Sequence, residues 1–259
     1  MPAKNKRFII PFESGRAAFA VHLSKRADAE AAARVLGFTE PQPTIYVTGG
    51  AGAMSEEDIR ATQALVERGL ARFAEERGVA VLDGGTDAGI PTMLGKARRR
   101  LRARFPLVGI APLELVRYRG YDNPKGAPLN DGHSHFVLTA GDEFGDESDL
   151  ITHLTYTLSG EGLLPALGVL INGGNIARQE VYDRTTSDKV SFPLIVVEGS
   201  GRFADILARA FYAGHAEESD LQAIIQKGRL AIVSIKDGPE QMYAKLAAHF
   251  QAFKPTVRR

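Results

Sequence analysis

Four short apolar runs in this chain each end in a glycine-rich turn, and a segment of helical character follows each one. The runs with their turns are 45–50, 80–86, 168–174 and 194–201. Glycine lets the backbone approach a ligand without a Cβ in the way, and the start of a helix presents unpaired N–H groups. Because these donors and the helix dipole both favour an anion, each turn suits a phosphate group. Four such turns in one chain predict a nucleotide-type pocket.

The strand-like runs are almost continuously apolar, as parallel strands are when helices cover both of their faces. We predict strands at 44–48, 79–83, 106–111, 135–140, 166–171, 193–198 and 230–235. Helices are predicted between most of them, at 55–77, 87–104, 149–160, 175–186, 201–213 and 239–252. This alternation predicts right-handed crossovers and an α/β fold with a doubly wound, mainly parallel sheet. Ligands bind outside the carboxyl ends of the strands in such sheets, so the four turns are expected to share one pocket.

The chain of 259 residues is interpreted as a single domain. Its parts are an N-terminal extension (1–40), a core (43–236) and a C-terminal helix (239–254). In the extension we predict strands around 7–12 and 16–23 and an alanine-rich helix around 25–36. Segment 114–132, rich in glycine, proline and tyrosine, is predicted to be a long loop over the strand ends. Both a functional lid and a disordered excursion fit that segment.

Composition argues against several classes of function. Hydrophobic residues make up 44% of the chain, and 32 Lys and Arg against 31 Asp and Glu leave a formal charge of +1. That balance argues against a nucleic-acid or membrane partner, and the basic helix end at 96–104 is interpreted as a solvated face. The chain has no cysteine, its N-terminal apolar run is cut by Pro11, and no apolar stretch approaches the ~20 residues of a membrane span. We expect a soluble, cytoplasmic protein.

Most candidate ligand-binding residues belong to the four turns. They are Thr48, Gly49, Gly50, Gly84, Gly85, Thr86, Gly173, Gly174, Asn175, Glu198, Gly199, Ser200, Gly201 and Arg202. Gly199, Gly201 and Ala204 fit the G-x-G-x-x-A dinucleotide fingerprint, although its place on the sixth strand is unlike that in an ordinary NAD dehydrogenase. Arg202 can bind a phosphate through two hydrogen bonds, or it can be a solvated charge. The turn at 83–89 lacks the Gly-Lys-Ser/Thr ending of a P-loop, which argues against Mg²⁺-dependent ATP hydrolysis.

Side chains between the turns add further candidates. Glu180 lies two turns into a predicted helix, where its carboxylate can act on a ribosyl bond or can be an ordinary exposed group. His133 and His135 alternate at a strand start, which predicts that both rings lie on one face. No third metal ligand is obvious beside them, so we predict no metal site; one of the two, with His135 as the candidate, is expected to bond in the pocket or to fix the loop. Phe144 stands between two glycines and presents a ring that can stack on a base.

Five stretches of the chain carry a family resemblance. They are Val47-Thr48-Gly49-Gly50, Asp83-Gly84-Gly85-Thr86, Gly109-Ile110-Ala111-Pro112, His133-Ser134-His135-Phe136 and Glu198-Gly199-Ser200-Gly201-Arg202. They resemble the SLOG superfamily, in particular the prokaryotic relatives of the cytosolic N-terminal domain of melastatin-type TRP channels. Over about 44–213 the resemblance implies a Rossmann-like domain for nucleotide-derived ligands, such as the ADP-ribose-type ligand of the channel branch. It carries the family's arginine over to Arg202 and its aromatic residue to Phe144, while Ile151 stands where some channels have a second arginine.

A second branch of the superfamily, the LOG-type phosphoribohydrolases, resembles residues 172–180. Its motif is Pro-Gly-Gly-x-Gly-Thr-x-x-Glu. Gly173, Gly174 and Glu180 match it, whereas Asn172, Ile176 and Ala177 replace the proline, the later glycine and the threonine. Arg98 is a candidate for the arginine that these enzymes use. Because the missing Gly-Thr pair removes phosphate contacts, the resemblance leaves catalysis by Glu180 open without favouring it.

Two hypotheses follow from these residues and resemblances. In the first, the protein is a cytoplasmic sensor that binds ADP-ribose or another NAD-derived nucleotide and requires no further cofactor. In the second, it is a LOG-like hydrolase that cleaves an N-ribosyl bond of a nucleotide, with Glu180 in the catalytic role. A dehydrogenase is a third and weaker alternative. By analogy with the family we expect a homo-oligomer, with a dimer as the first guess.

Overall fold

A nine-stranded sheet forms the centre of the computed structural model, which describes residues 5–23 and 28–252. The strands of the chain are β1 (Arg7–Pro11), β2 (Ala17–His22), β3 (Thr44–Gly49), β4 (Ala80–Asp83), β5 (Leu107–Pro112), β6 (Val116–Arg117), β7 (Ala127–Pro128), β8 (His135–Thr139), β9 (Ala166–Ile171), β10 (Leu194–Glu198) and β11 (Leu230–Ser234). Their order in the sheet is β1-β2-β8-β5-β4-β3-β9-β10-β11, and β6 pairs with β7 separately. Only β1 and β2 pair antiparallel within the described residues.

Helices cover both faces of this sheet. They are α1 (Ala29–Leu36), α2 (Glu56–Leu65), α3 (Arg72–Arg77), α4 (Gly89–Arg100), α5 (Ser148–Leu158), α6 (Asn175–Thr186), α7 (Arg202–Ala213), α8 (Ser219–Lys227) and α9 (Gly238–Ala252). The helices α2, α3, α4 and α9 pack on one face, and α1, α5, α6, α7 and α8 pack on the other. Every residue of β9 is buried, as expected for a strand between two helical layers. The predicted Rossmann-like, doubly wound α/β sheet is confirmed.

Each predicted core strand is present to within one residue at either end. Ser55 caps α2 by accepting a hydrogen bond from the Asp58 N–H, and Gly78 ends α3 in the left-handed conformation; serine before a helix and glycine after one are the residue types expected at these positions. The predicted helix at 55–77 contains one π-helical turn, Val66–Ala71. Within that turn Gly69 lies against Met242 and Pro239, where a Cβ would come within 2.9 Å of both. Because α9 approaches this closely, position 69 has no room for a side chain.

Two predictions about the periphery need correction. The helix α8 was not expected, because its nine residues bury only Leu221 and Ile224 and so show little periodicity. The predicted helix at 87–104 ends earlier, with Arg102 in the left-handed conformation (φ 51°).

Segment 114–132 is ordered rather than a disordered excursion, because its Val116 and Leu129 are buried against β2, β5 and β8. The part of the predicted helix at 25–36 that precedes residue 28 lies outside the described residues.

The order of the strands reverses beside β3. From β3 the chain proceeds outward through β4, β5 and β8, and it then returns through α5 to β9 on the other side of β3. The strands β3 and β9 pair along their whole length, and Gly49 lies opposite Ile171. A Cβ on Gly49 (φ 134°) would collide with the Ile171 carbonyl group, so the carboxyl ends of β3 and β9 touch only because residue 49 is glycine. The fold thus puts two of the glycine turns at the topological switch point.

Candidate functional site

Three of the four glycine turns meet at this switch point through Asn172, the first residue after β9. Its amide Nδ2 donates to the Ser200 carbonyl oxygen at 2.7 Å and to the Gly52 carbonyl oxygen at 3.1 Å. Its backbone N–H donates to Ser200 Oγ at 2.7 Å. Asn172 is buried in the left-handed conformation (φ 59°), which asparagine tolerates better than most residues. The turns that follow β3, β9 and β10 therefore form one rigid edge.

Arg202 is the exposed cation at this edge. It begins α7 with a φ of 49°, and its guanidinium group lies between two other turns. A Cβ on Gly174 would be 2.9 Å from Arg202 Nη2, and one on Gly52 would be 3.2 Å from Nη1. No carboxylate of the described residues forms an ion pair with it. An unpaired guanidinium group held beside two glycines is able to accept an anion with both of its N–H arms.

The backbone donors of the four turns are not equally free. In the turn after β10, the Gly199 N–H donates to Asp205, and the N–H groups of Phe203 and Ala204 donate to the carbonyl oxygens of the turn after β9. At the start of α6, by contrast, Asn175 and Ile176 donate to no described residue, and no side chain caps the helix. The start of α6 thus has open N–H donors beside the Arg202 guanidinium group, an arrangement that suits an anion.

The turn after β4 is divided between structural and open positions. Gly85 (φ 68°) packs on Gly109 and Phe136, and a Cβ there would lie 2.7 Å from the Gly109 Cα. Thr86 forms a β-bridge with Leu129, which ties the turn to the ordered segment 114–132. Gly84 faces open space. Gly89, at the start of α4, lies next to the turn after β3, since its Cβ would be 3.4 Å from the Ala51 nitrogen. The turn after β4 therefore borders the turn after β3.

Glu180 is buried, and both of its carboxylate oxygens accept hydrogen bonds. One carboxylate oxygen accepts from Thr48 Oγ1, and the other accepts from Ser148 Oγ at 2.5 Å and from Arg184 Nη2 at 3.1 Å. Arg184 is 1% exposed, donates to Thr152 Oγ1 at 2.9 Å, and lies 4.8 Å above the Tyr46 ring. These three hydrogen bonds hold the carboxylate in place and engage both of its oxygens with protein groups. The side chains of Glu180 and Thr48 thus join β3, α5 and α6 beneath the switch point.

Phe144 and Glu147 lie on the loop that precedes α5. The Phe144 ring is 46% exposed, and the neighbouring Gly145 lies against Ile176, whose Cγ2 would be 3.4 Å from a Cβ at that position. The Glu147 carboxylate accepts from the Gly145 N–H at 2.9 Å and so fixes this loop. Burial raises the pKa of Glu147 to about 7, and the charge of Glu180 adds to that shift. The loop that carries the exposed ring therefore lies beside the start of α6.

The two histidines lie on opposite faces of the sheet, so the expectation that they share a face is wrong. The strand β8 begins at His135, and His133 precedes it and does not follow the alternation of the strand. His133 is buried beside Phe136, with Nε2 2.8 Å from Asp83 Oδ1, and it fixes the turn after β4. The His135 ring packs on Phe38 at the amino edge of the sheet, away from the turns, and burial lowers its pKa to about 4. The fold does not bring His135 to the other candidates.

Several residues of the site escaped sequence reasoning. Asn172 was counted only as a departure from the LOG motif, although an asparagine before two glycines is itself a signal for a left-handed turn. The i, i+4 spacing of Glu180 and Arg184 was an available signal for their ion pair. Ser148 has no such signal, because only the packing of α5 against α6 brings it to Glu180. Glu198 and Asn175 lie where expected, at the end of β10 and the start of α6.

Comparison with known proteins agrees with this geometry. A family model described as SLOG in TRPM, prokaryote, matches residues 42–244, a range that contains all the glycine turns. The chain belongs to this family. Within the described residues, no helix is both long and apolar enough to cross a membrane.

Relatives of this family member include several channels. Transient receptor potential cation channel subfamily M member 1 of Mus musculus is 28% identical over 199 residues, which are 65% of this chain and 12% of the channel. A transient receptor potential channel of Caenorhabditis elegans is 29% identical over 239 residues, 81% of this chain and 12% of the channel. Subfamily M member 4 of Rattus norvegicus is 29% identical over 211 residues, 67% of this chain and 17% of the channel. The chain thus matches less than a fifth of the length of each of these three channels.

Proposed function

We propose that this protein binds a nucleotide-derived ligand at the carboxyl edge of β3, β9 and β10, and that it acts as a cytoplasmic sensor. The observation that carries the proposal is the unpaired guanidinium group of Arg202, which lies beside Gly174 and the open amides of α6. A phosphate group there satisfies the arginine, the amides and the helix dipole together. The exposed ring of Phe144, on the loop next to Ile176, is the candidate platform for a base. The family resemblance supplies the first ligand to try, ADP-ribose, followed by other NAD-derived nucleotides.

Binding without turnover is the form of the proposal that the contacts of Glu180 support. A general base needs an open lone pair near the substrate, and both oxygens of Glu180 already accept hydrogen bonds from protein groups. Ile176 and Ala177 stand where the LOG motif has its glycine and threonine, so that source of phosphate contacts is absent. Hydrolysis of an N-ribosyl bond stays the alternative, because Glu180 occupies the position of the LOG glutamate and adjoins the turns.

The binding proposal is tested with calorimetric titrations of ADP-ribose into the wild-type protein and two arginine variants. Arg202→Ala removes charge-assisted hydrogen bonds and is expected to weaken binding roughly tenfold or more. Arg209→Ala is the matched control, since Arg209 is exposed on the same helix and lies outside the turns. It is expected to change affinity by less than about twofold. Equal affinities for Arg202→Ala and the wild type would overturn the proposed site.

Turnover is tested separately with native mass spectrometry. The protein is incubated with ADP-ribose, NAD, cyclic ADP-ribose and nucleoside monophosphates, and both the complex and the solution are analysed. We expect a retained, unaltered ligand and no released base. Release of free base by the wild type that is lost in Glu180→Gln would instead establish the hydrolase alternative and give Glu180 its catalytic role.

A further inference from the structure

A cavity lies at the amino edge of the sheet, opposite the glycine turns. It has a volume of about 840 Å³ and lies where β9, β10 and β11 begin, between the segments that lead into them and the end of α9. Phe192, Leu194 and Leu230 supply apolar lining. This volume falls within the range of known small-molecule sites, about 300–1,000 Å³. Because β9 has six residues, the cavity lies roughly 20 Å from the glycine turns at the other end of the strand.

The charges around this cavity are unbalanced. Lys189, Arg229 and Lys245 line it, while Glu161 is the only carboxylate among its described lining residues. In the described part of the chain, none of the three cations forms an ion pair with a carboxylate. The one hydrogen bond that the Arg229 side chain makes to a described residue is to the Ser191 carbonyl oxygen, at 3.3 Å. Three cations that converge on one cavity create a positive potential that an anion would relieve.

His249 adds an open polar group to the same cavity. Its Nε2 atom is buried and has no hydrogen-bond partner within the described structure. Burial lowers the pKa of His249, and the nearby charge of Arg229 lowers it further, against a smaller opposite effect of a hydrogen bond with the Ala166 backbone. A neutral imidazole can donate to or accept from a ligand through the open nitrogen. A bound ligand or an ordered water would give this atom a partner.

We propose that this cavity is a second ligand site, for a small organic anion with an apolar body. The anionic group, a carboxylate, sulfonate or phosphate, contacts Arg229 and Lys245, and the apolar body lies against Phe192, Leu194 and Leu230. The site is independent of the proposed nucleotide site, because the two lie at opposite ends of the strands and share no residue.

The experiment uses anilinonaphthalene sulfonate as the probe, an aryl anion of this class. Its binding is measured by fluorescence and located from the backbone amide signals in NMR spectra of the full chain. We expect the largest shifts at 189–195 and 229–231. Arg229→Gln is expected to weaken binding about fivefold, as is typical of losing one partly exposed charge pair, whereas Lys227→Gln, two residues away on the exposed end of α8, leaves it unchanged.

Two further measurements make the test decisive. Ser191→Trp fills the mouth of the cavity from an exposed position, so it is expected to abolish the shifts without unfolding the protein. N-phenylnaphthylamine lacks the sulfonate and is expected to bind the wild type at least about fivefold more weakly than anilinonaphthalene sulfonate does. Its affinity should be the same for the wild type and for Arg229→Gln. Shifts confined to the glycine turns, or affinity that neither variant changes, would overturn the proposal. Neither result bears on ADP-ribose binding, which Arg202→Ala tests separately.

Discussion

The polar groups at the start of α6 are open, whereas Glu180 and Arg184 in its later turns are hydrogen-bonded. At the start, the amides of Asn175 and Ile176 have no partner among the described residues, and the adjacent Arg202 guanidinium group has no counter-ion there. About one and a half and two and a half turns further on, Glu180 and Arg184 are buried and hydrogen-bonded to each other. A ligand can add favourable contacts only where groups are unsatisfied, and removing a group costs most where all are satisfied. Binding is therefore expected from the start of α6, and stability from the ion pair.

This contrast changes the weight of the sequence evidence. Glu180 matches the glutamate of the LOG motif in position, yet its contacts are those of a structural residue. The glycines that precede it have no side-chain chemistry, but they let Arg202 and the open amides lie close together. The residue with the most reactive side chain is thus not the best candidate for contact with a ligand.

The largest expected effect comes from breaking the buried ion pair. Arg184→Met leaves the Glu180 carboxylate buried without its counter-ion and is expected to lower the free energy of unfolding by about 3–5 kcal/mol. Urea unfolding at pH 7 measures this change. Arg209→Met, an exposed position on α7, is the control and should cost less than about 1 kcal/mol. A similarly small loss in Arg184→Met would show that the pair is not structural, and the second replacement Glu180→Met should recover much of a large loss.

An effect of pH on stability, of similar size, is expected from Glu147 on the loop that precedes α5. The pKa of Glu147 is about 7 in the folded protein against 4.5 for an ordinary glutamate, so the folded state binds the proton more tightly. Its contribution to stability is therefore fully present below pH 4.5, falls by up to about 3 kcal/mol between pH 4.5 and 7, and is constant above. Unfolding measured across this range should show a flatter profile in Glu147→Gln. The exposed Glu143→Gln, on the same loop, should keep the slope of the wild type; identical slopes for all three proteins would contradict the buried carboxyl group.

The smallest effect is expected at the exposed ring of Phe144. Phe144→Ala should weaken ADP-ribose binding by roughly 1 kcal/mol, about fivefold, because one stacking contact with the base is lost. Ribose 5-phosphate has no base, so its affinity should not change. Tyr212→Ala, which removes an aromatic ring that is 63% exposed elsewhere, serves as the control. Equal losses for both ligands would mean that Phe144 shapes the loop and does not stack.

The strands of the core were predictable because each corresponds to a short run of apolar residues. Residues 166–171 are continuously apolar and end before Asn-Gly-Gly, and the structure has β9 at the same six positions. Boundaries set by one residue also followed, such as the Ser55 cap of α2. The helix α8 did not, since two buried positions in nine residues give too weak a period. His133 and His135 failed for a related reason, because alternation applies only once the strand has begun.

The sequence by itself determined the sheet, the four glycine turns and the family, because apolar runs, glycines and motifs are local patterns. Only the tertiary structure decided which of those turns have open donors, since that depends on carbonyl groups and side chains from distant segments. Asn172 meets Gly52 across 120 positions, and Glu180 meets Thr48 across 132. No local pattern encodes such pairs, because they arise from the order of the strands. The same order left Arg202 exposed at the switch point.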